Sequence, residues 1–299
     1  MNCARLNGCI DLHLHSTCSD GSLTPAALVE EASRLGLRAI ALADHDNIDG
    51  IDEAREAGSR LQVEVIAGVE LSVVSGELRD LHLLGYHFDP THPALNEALA
   101  EFRAFRANRS RLILDRVNGK LVAEGRSPLD FAAVTARAGG TLGRPHIGQE
   151  LLAAGCVRTM EEAFRRYLVP CNVPKRFFPI DEAVAMVHAA GGCAVLAHPM
   201  FIDIDEAALP ALLDTLVVIG LDGMECWCGG ASNETIDRLL TLARRKGLLV
   251  TGGSDFHQPG AGPSLGSGLG NLRIPYACVE ELKARAECIT GNAGRGTRT

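Results

Sequence analysis

The sequence predicts an α/β fold: a closed, mostly parallel barrel with a helical subdomain inserted into it. Three observations carry this. Short apolar runs of strand length alternate with helical stretches over most of the chain. Residues of metal-ligand type stand at the ends of six of about seven such runs; a barrel gathers strand ends around one mouth, whereas an open sheet collects ligands at one switch point. Between about 95 and 178 the rhythm stops, and an arginine-rich helical stretch, EALAEFRAFRANRSRLILDRVNGKL, takes its place. With 299 residues, 46% of them hydrophobic, the chain can build one large barrel core plus an insertion.

The first run leads into DLHLHSTCSDG, from Asp11 to Gly21. In an extended strand residues i and i+2 share a face, so His13 and His15 point the same way and can grip one metal ion, with Asp20 five residues on. Thr24 then suits a helix N-cap with Pro25 at the first helical position; Leu28, Ala32 and Leu35 form an apolar stripe, and Gly36 ends it. A strand over 38–43 runs into Asp44-His45-Asp46, and a helix over 51–61 follows. The two aspartates either orient the His45 ring or cap that helix. A strand over 64–69 leads to Glu70. The next, over 80–86, contains His82 with His87 just beyond it, and either can serve as the ligand there. After the insertion come a helix over 181–190, a strand over 193–197 ending in His198-Pro199, a helix over 205–219, a strand over 222–226, a helix over 232–246, and a strand over 248–252 leading to Asp255-Phe256-His257. The resulting organisation is a barrel from 9–94 and 179–289, an inserted subdomain from 95–178 expected to lie over the barrel mouth, and a Gly-rich polar tail over 290–299 expected to fray.

Composition narrows the function. A formal net charge of −8 argues against a general nucleic-acid coat, which is normally basic. The ten cysteines show no C-x-x-C spacing, and the nearest pair, Cys226-Trp227-Cys228, reads as small buried hydrophobes. With no long apolar h-region before the first histidine motif and no run of membrane-spanning length, a reducing cytoplasm is the expected location. Burying so many histidines and carboxylates without compensation would cost several kcal/mol each, and metal coordination supplies the compensation.

The ordered motifs HxH with a following aspartate, ADHD, GVE, LHLLGY, AHP and GSDFH resemble the PHP (polymerase and histidinol phosphatase) family of metal-dependent phosphoesterases, over most of the chain. GRPHIGQELL and VPKRFFPI in the insertion resemble its bacterial branch of 3′,5′-nucleoside bisphosphate phosphatases and 5′-3′ exoribonucleases. The resemblance implies a distorted (β/α)7 barrel with three divalent ions, Mn²⁺ favoured and Fe²⁺ or Zn²⁺ compatible. It places a first ion on His13, His15, Glu70 and Asp255, a second on Glu70, His82 and His198, and a third on Asp20, His45 and His257. Clustered divalent ions lower the pKa of a bound water towards ~7, so the attacking hydroxide needs no protein nucleophile. Arg144 matches a phosphate-binding position, Lys175 and Arg176 offer a second cationic point, and His146 either contacts phosphate or packs structurally. The implied partners are a phosphorylated nucleotide or a short RNA 5′ end, with neither a membrane nor a stable nucleic-acid complex. Histidinol phosphate hydrolysis is the alternative within the same chemistry. Outside it stand an amidohydrolase and a non-catalytic PHP module; the latter is expected to have lost ligands, and here every expected position has a candidate.

Overall fold

A computed structural model describes residues 8–138, 143–259 and 272–296. The strands are β1 (Cys9–Leu14), β2 (Ala39–Leu42), β3 (Glu64–Ser75), β4 (Leu78–Tyr86), β5 (Phe178–Pro179), β6 (Cys193–Leu196), β7 (Gly223–Cys228), β8 (Leu249–Gly253) and β9 (Ile274–Pro275). They form one sheet in the order β8-β7-β6-β4-β3-β2-β1-β9, with β5 on β3. The open ends meet where Leu14 bridges Phe256 in parallel and His15 N donates to Phe256 O at 3.0 Å. Seven strands thus enclose a barrel, and β4 is the source of its distortion because it runs antiparallel to both neighbours, β3 and β6. The β3–β4 connection is a tight hairpin through Gly76, at φ 57°, and not a helical crossover.

Local signals explain the elements around the barrel. Helix α1 (Pro25–Leu35) starts with Thr24 accepting from Ala27 N and ends at Gly36, whose φ of 78° suits glycine. Helix α2 (Ile51–Leu61) has Gly50 at its N-cap and no side-chain cap, so neither Asp44 nor Asp46 caps it. On β2, Ala39 and Ala41 join one core cluster while Ile40 and Leu42 join the cluster containing Leu28, Val29 and Ala32 of α1, the two faces of a strand buried on both sides.

The chain divides into two compact units, residues 1–97 with 177–299, and residues 98–176. The first boundary falls within α3 (Pro93–Ala123), one 31-residue helix. The second unit adds α4 (Phe131–Ala138), α5 (Arg144–Ala153), α6 (Met160–Ala163) and a π-helical turn, Phe164–Leu168, around its own core of Ile113, Val117, Leu121, Ile147, Leu151 and Tyr167. In the first unit, α7 (Ile180–Ala189), α8 (Leu209–Val218) and α9 (Asn233–Lys246) alternate with the later strands. A last helix, α10 (Ala277–Gly296), runs through 290–296, where composition alone marks a tail; Thr290 Oγ1 donates back to Ala286 O at 3.0 Å within it. Positions 297–299 of that tail lie outside the described residues. Among the described residues no helix is long and apolar enough to cross a membrane, and the nine described cysteines are free thiols.

A buried carboxylate ties the far end of the barrel together. Asp222 accepts from Ala194 N at 2.8 Å and from Arg285 Nε at 2.7 Å, and lies 2.7 Å from His188 Nε2, joining the start of β7 to β6, α7 and α10.

Candidate metal centre

Each predicted ligand is delivered by a strand or by the loop after it. His13 lies in β1 with His15 just past its end, Asp20 is in the following loop, His45 follows β2, His198 follows β6, and Asp255 and His257 follow β8. Glu70 and His82 depart from the expected strand-end position and sit within β3 and β4. The cause is the extended hairpin: Ser72 stands opposite His82 and Glu70 opposite Leu84, which brings His82 beside the glutamate from a strand running the other way. His87, past the other end of β4, is pinned by its backbone N–H to Ala67 O. The structure therefore brings His82, and not His87, to Glu70.

Glu70, fully buried, is the hub. Its Oε1 lies 2.8 Å from His82 Nδ1, 3.0 Å from His198 Nε2 and 3.3 Å from His13 Nε2; its Oε2 lies 2.8 Å from His45 Nδ1 and 3.4 Å from His15 Nε2. Asp255 Oδ1 approaches His15 Nε2 at 3.0 Å and His13 Nε2 at 3.5 Å, and Asp20 reaches His257 Nε2 at 3.3 Å and His45 Nε2 at 3.7 Å. All nine predicted residues converge. Burial alone would push the Glu70 carboxyl up, but His82, His45 and His13 around it hold it well below the usual range. Burial pushes His15 down, towards the neutral imidazole that a metal requires.

The donor set fits metal ions on this structure's own terms. His13 Nε2, His15 Nδ1 and Glu70 Oε2 are buried, and none of their close contacts has hydrogen-bond geometry, a costly state that a cation would relieve. Three groups place their ligand atoms within 4.8 Å of one another: His15, Asp20, His45 and His257; His13, His15 and Glu70; and His45, Glu70 and His82. Backbone strain also collects here, with Asp46, His198 and Asp255 at positive φ of 50°, 25° and 54°. At Gly253 an added Cβ would fall 2.2 Å from the His13 Cβ, so glycine is what lets β8 approach β1 at the ligand.

Supporting carboxylates hold the ligand loops. Asp44 accepts from Ser16 N and Ser16 Oγ, each at 2.7 Å, fixing the turn after His15; Asp46 accepts from Ser72 N at 2.8 Å. Sequence reasoning missed Glu225. It is fully buried on β7, lies 3.2 Å from His13 Nδ1 and accepts from His198 N at 2.8 Å, so it orients one predicted ligand and anchors the loop of another. A lone acidic residue inside the apolar run GMECWC was the available signal. Its neighbours Cys226 and Cys228 are buried, and burial pushes both thiols up, in keeping with inert packing. Glu225→Gln is expected to lower turnover and metal affinity by about 10- to 100-fold while the fold persists, as for other carboxylates behind metal-binding histidines; metal titration beside thermal melting checks it.

The predicted phosphate binders all belong to the second unit. Arg144, at the start of α5, is half-buried with its guanidinium carbon 5.7 Å from the Phe164 ring centroid. His146 Nδ1 accepts from Gly143 N at 3.0 Å, so one ring nitrogen serves the N-terminus of α5. Lys175 and Arg176 are exposed, and Arg176 lies 3.5 Å from Glu101.

Comparison with known proteins agrees with this chemistry. Residues 11–131 match the PHP domain. A 5′-3′ exoribonuclease of Haemophilus influenzae is 36% identical over 262 residues, 87% of this chain and 93% of its own. A 3′,5′-nucleoside bisphosphate phosphatase of Chromobacterium violaceum is 34% identical over 284 residues, covering 92% and 97%. Among solved structures, a Bifidobacterium adolescentis protein, a metal-dependent phosphoesterase by its description, superposes with a TM-score of 0.76 at 34% identity, covering 92% of this chain and 96% of its own. A Chromobacterium violaceum structure described as an amidohydrolase, with bound sulfate and no metal, gives 0.74 at 33% identity over the same shares. Aligned with such relatives over nearly their full lengths, and with a histidine-carboxylate cluster suited to divalent ions, the chain belongs to the PHP domain family and is a hydrolase of phosphoric esters.

Proposed function

We propose that this phosphoesterase removes a phosphate monoester from nucleotides, with 3′,5′-nucleoside bisphosphates giving nucleoside 5′-monophosphates as the preferred reaction and 5′-3′ trimming of short 5′-phosphorylated RNA as a second activity. The observation that carries the reading is the convergence of five histidines on the buried Glu70 carboxylate. The names of the two relatives above supply the substrate class.

In this reading His13, His15, Glu70 and Asp255 hold one divalent ion, Glu70 with His82 and His198 a second, and Asp20, His45 and His257 a third. Such ions, with Mn²⁺ favoured by the oxygen donor that Asp20 adds to a set of six histidines and three carboxylates, would supply Lewis acidity and a water of lowered pKa. The protein's part is to preorganise the donors. Glu225 fixes the His13 ring, Asp44 and Asp46 fix the loops beside it, and the packed hairpin holds Glu70 at the centre.

Arg144 is assigned to the substrate phosphate, with Lys175, Arg176 and His146 as further contacts. Lys and Arg outnumber Asp and Glu two to one across residues 98–176, against a net charge of −8 for the whole chain, which suits a unit that meets a polyanion. The free cysteines are consistent with a cytoplasmic setting.

The test is a screen of nucleoside bisphosphates, monophosphates, short RNAs and histidinol phosphate with Mn²⁺ present, scored by phosphate and nucleotide release. Adenosine 3′,5′-bisphosphate is expected to exceed adenosine 5′-monophosphate in kcat/KM; equal values would overturn the bisphosphate assignment. Arg144→Ala is expected to lower kcat/KM by about one to two decades with metal content intact, because a charge-assisted phosphate contact is worth ~1.5–3 kcal/mol. Unchanged kinetics would move the phosphate site to Lys175 and Arg176.

A further inference from the structure

We infer that Phe201 is the stacking platform for the nucleobase of the substrate, an inference that rests on the nucleotide reading above. The residue occupies the 3-10 turn Pro199–Phe201, directly after His198. Its ring centroid lies 5.9 Å from that of His198, whose Nε2 is itself 3.0 Å from the Glu70 hub. Yet the residue is 52% exposed. Leaving a phenylalanine ring in water forgoes apolar burial, and among the described residues of the first unit it is the exposed aromatic.

The turn is rigid. Pro199 is buried, Phe201 N donates to His198 O at 3.0 Å, and His198 N donates to Glu225 Oε2 at 2.8 Å, so the turn hangs from a buried carboxylate of the barrel. A ring held this way loses little freedom when a ligand covers it. A phosphate at the histidine cluster would leave the rest of the nucleotide beside this face, and a flat apolar ring accepts any base by its π-face. The platform therefore predicts a requirement for a base with little preference among bases.

The test compares adenosine 3′,5′-bisphosphate with the base-free 1,4-anhydroribitol 3,5-bisphosphate, using the full-length chain supplied with Mn²⁺. In Phe201→Ala the ratio of kcat/KM for the base-bearing over the base-free substrate should fall about tenfold, carried by KM for the adenosine compound, and Phe201→Trp should restore it. A ratio unchanged by alanine, including an equal loss on both substrates, overturns the platform while sparing the phosphatase reading, and so does a tryptophan variant that behaves like alanine. A wild-type protein that hydrolyses neither bisphosphate overturns the nucleotide reading and the platform with it. As a second measurement, adenosine 5′-monophosphate should quench the fluorescence of Phe201→Trp beyond the background of Trp227 in the wild type; no added quenching would contradict stacking.

Discussion

Glu70→Ala is expected to lower turnover by at least about three orders of magnitude while leaving a folded barrel, the largest catalytic effect of any single substitution in this chain. The reason is geometric. Among the described residues Glu70 is the one carboxylate within 3.4 Å of all five of His13, His15, His45, His82 and His198, so its removal takes away the group that these imidazoles share. Metal centres contribute several kcal/mol of transition-state stabilisation, and each 1.36 kcal/mol is a factor of ten. The fold is expected to persist because the neighbours that hold β3, through pairing from Gly68 to Ser75 with β4, keep their backbone bonds. Circular dichroism, metal content and kinetics measured together check this: near-wild-type turnover in a folded variant would remove Glu70 from the centre. His13→Ala and Asp255→Ala are expected to fall in the same direction.

The largest effect on stability is expected away from the site. Asp222→Ala removes the carboxylate shared by Ala194 N, Arg285 and His188, at a cost of about 3 kcal/mol, since a buried backbone donor, a guanidinium and an imidazole lose their partner. For a chain of this size that corresponds to a fall in Tm of roughly 6–12 °C. The pH dependence has a definite sign. Burial raises the Asp222 carboxyl, but the bonds from His188, Ala194 and Arg285 outweigh it and hold it below the usual carboxylate value. A carboxyl depressed in the folded state contributes stability that is present above its unfolded value, about 3.9, and is lost as pH falls through the folded one. The gap in stability between wild type and Asp222→Asn should therefore be full at neutral pH and shrink below about pH 4. Thermal melts across pH 3–8 measure it, and a gap independent of pH would contradict the assignment.

The parts of the fold visible in the sequence are those set by local chemistry. The cap at Thr24, Pro25 at the first helical turn and Gly36 at the end delimit α1 residue by residue. Apolar runs bounded by turn residues mark β2, β6, β7 and β8 within a residue or two. What was not visible is set at longer range. Side-chain alternation is the same for either strand direction, so nothing in LHLLGY says that β4 runs antiparallel, and the choice between His82 and His87 depends on that direction. The continuation of β3 to Ser75 was missed because ELSVVSGELRD alternates polar and apolar residues and lacks the solid apolar run of a fully buried strand. Glu225 stands 212 residues from its partner His13, and only the closed sheet brings them together.

The ligand residues, by contrast, are legible one by one, because a histidine or carboxylate at a strand end carries its chemistry with it. Their assembly around Glu70 depends on the hairpin and on the closure through Leu14 and Phe256.

The measurement that bears most directly on the metal-centred account is elemental analysis coupled to an activity titration, in which the purified protein is stripped with chelator and Mn²⁺ is returned stepwise. The account predicts loss of phosphatase activity on stripping, retention of the fold, and recovery that saturates near three equivalents per chain, about the number that the nine converging ligands can hold. Full activity in protein shown to contain no metal would contradict it.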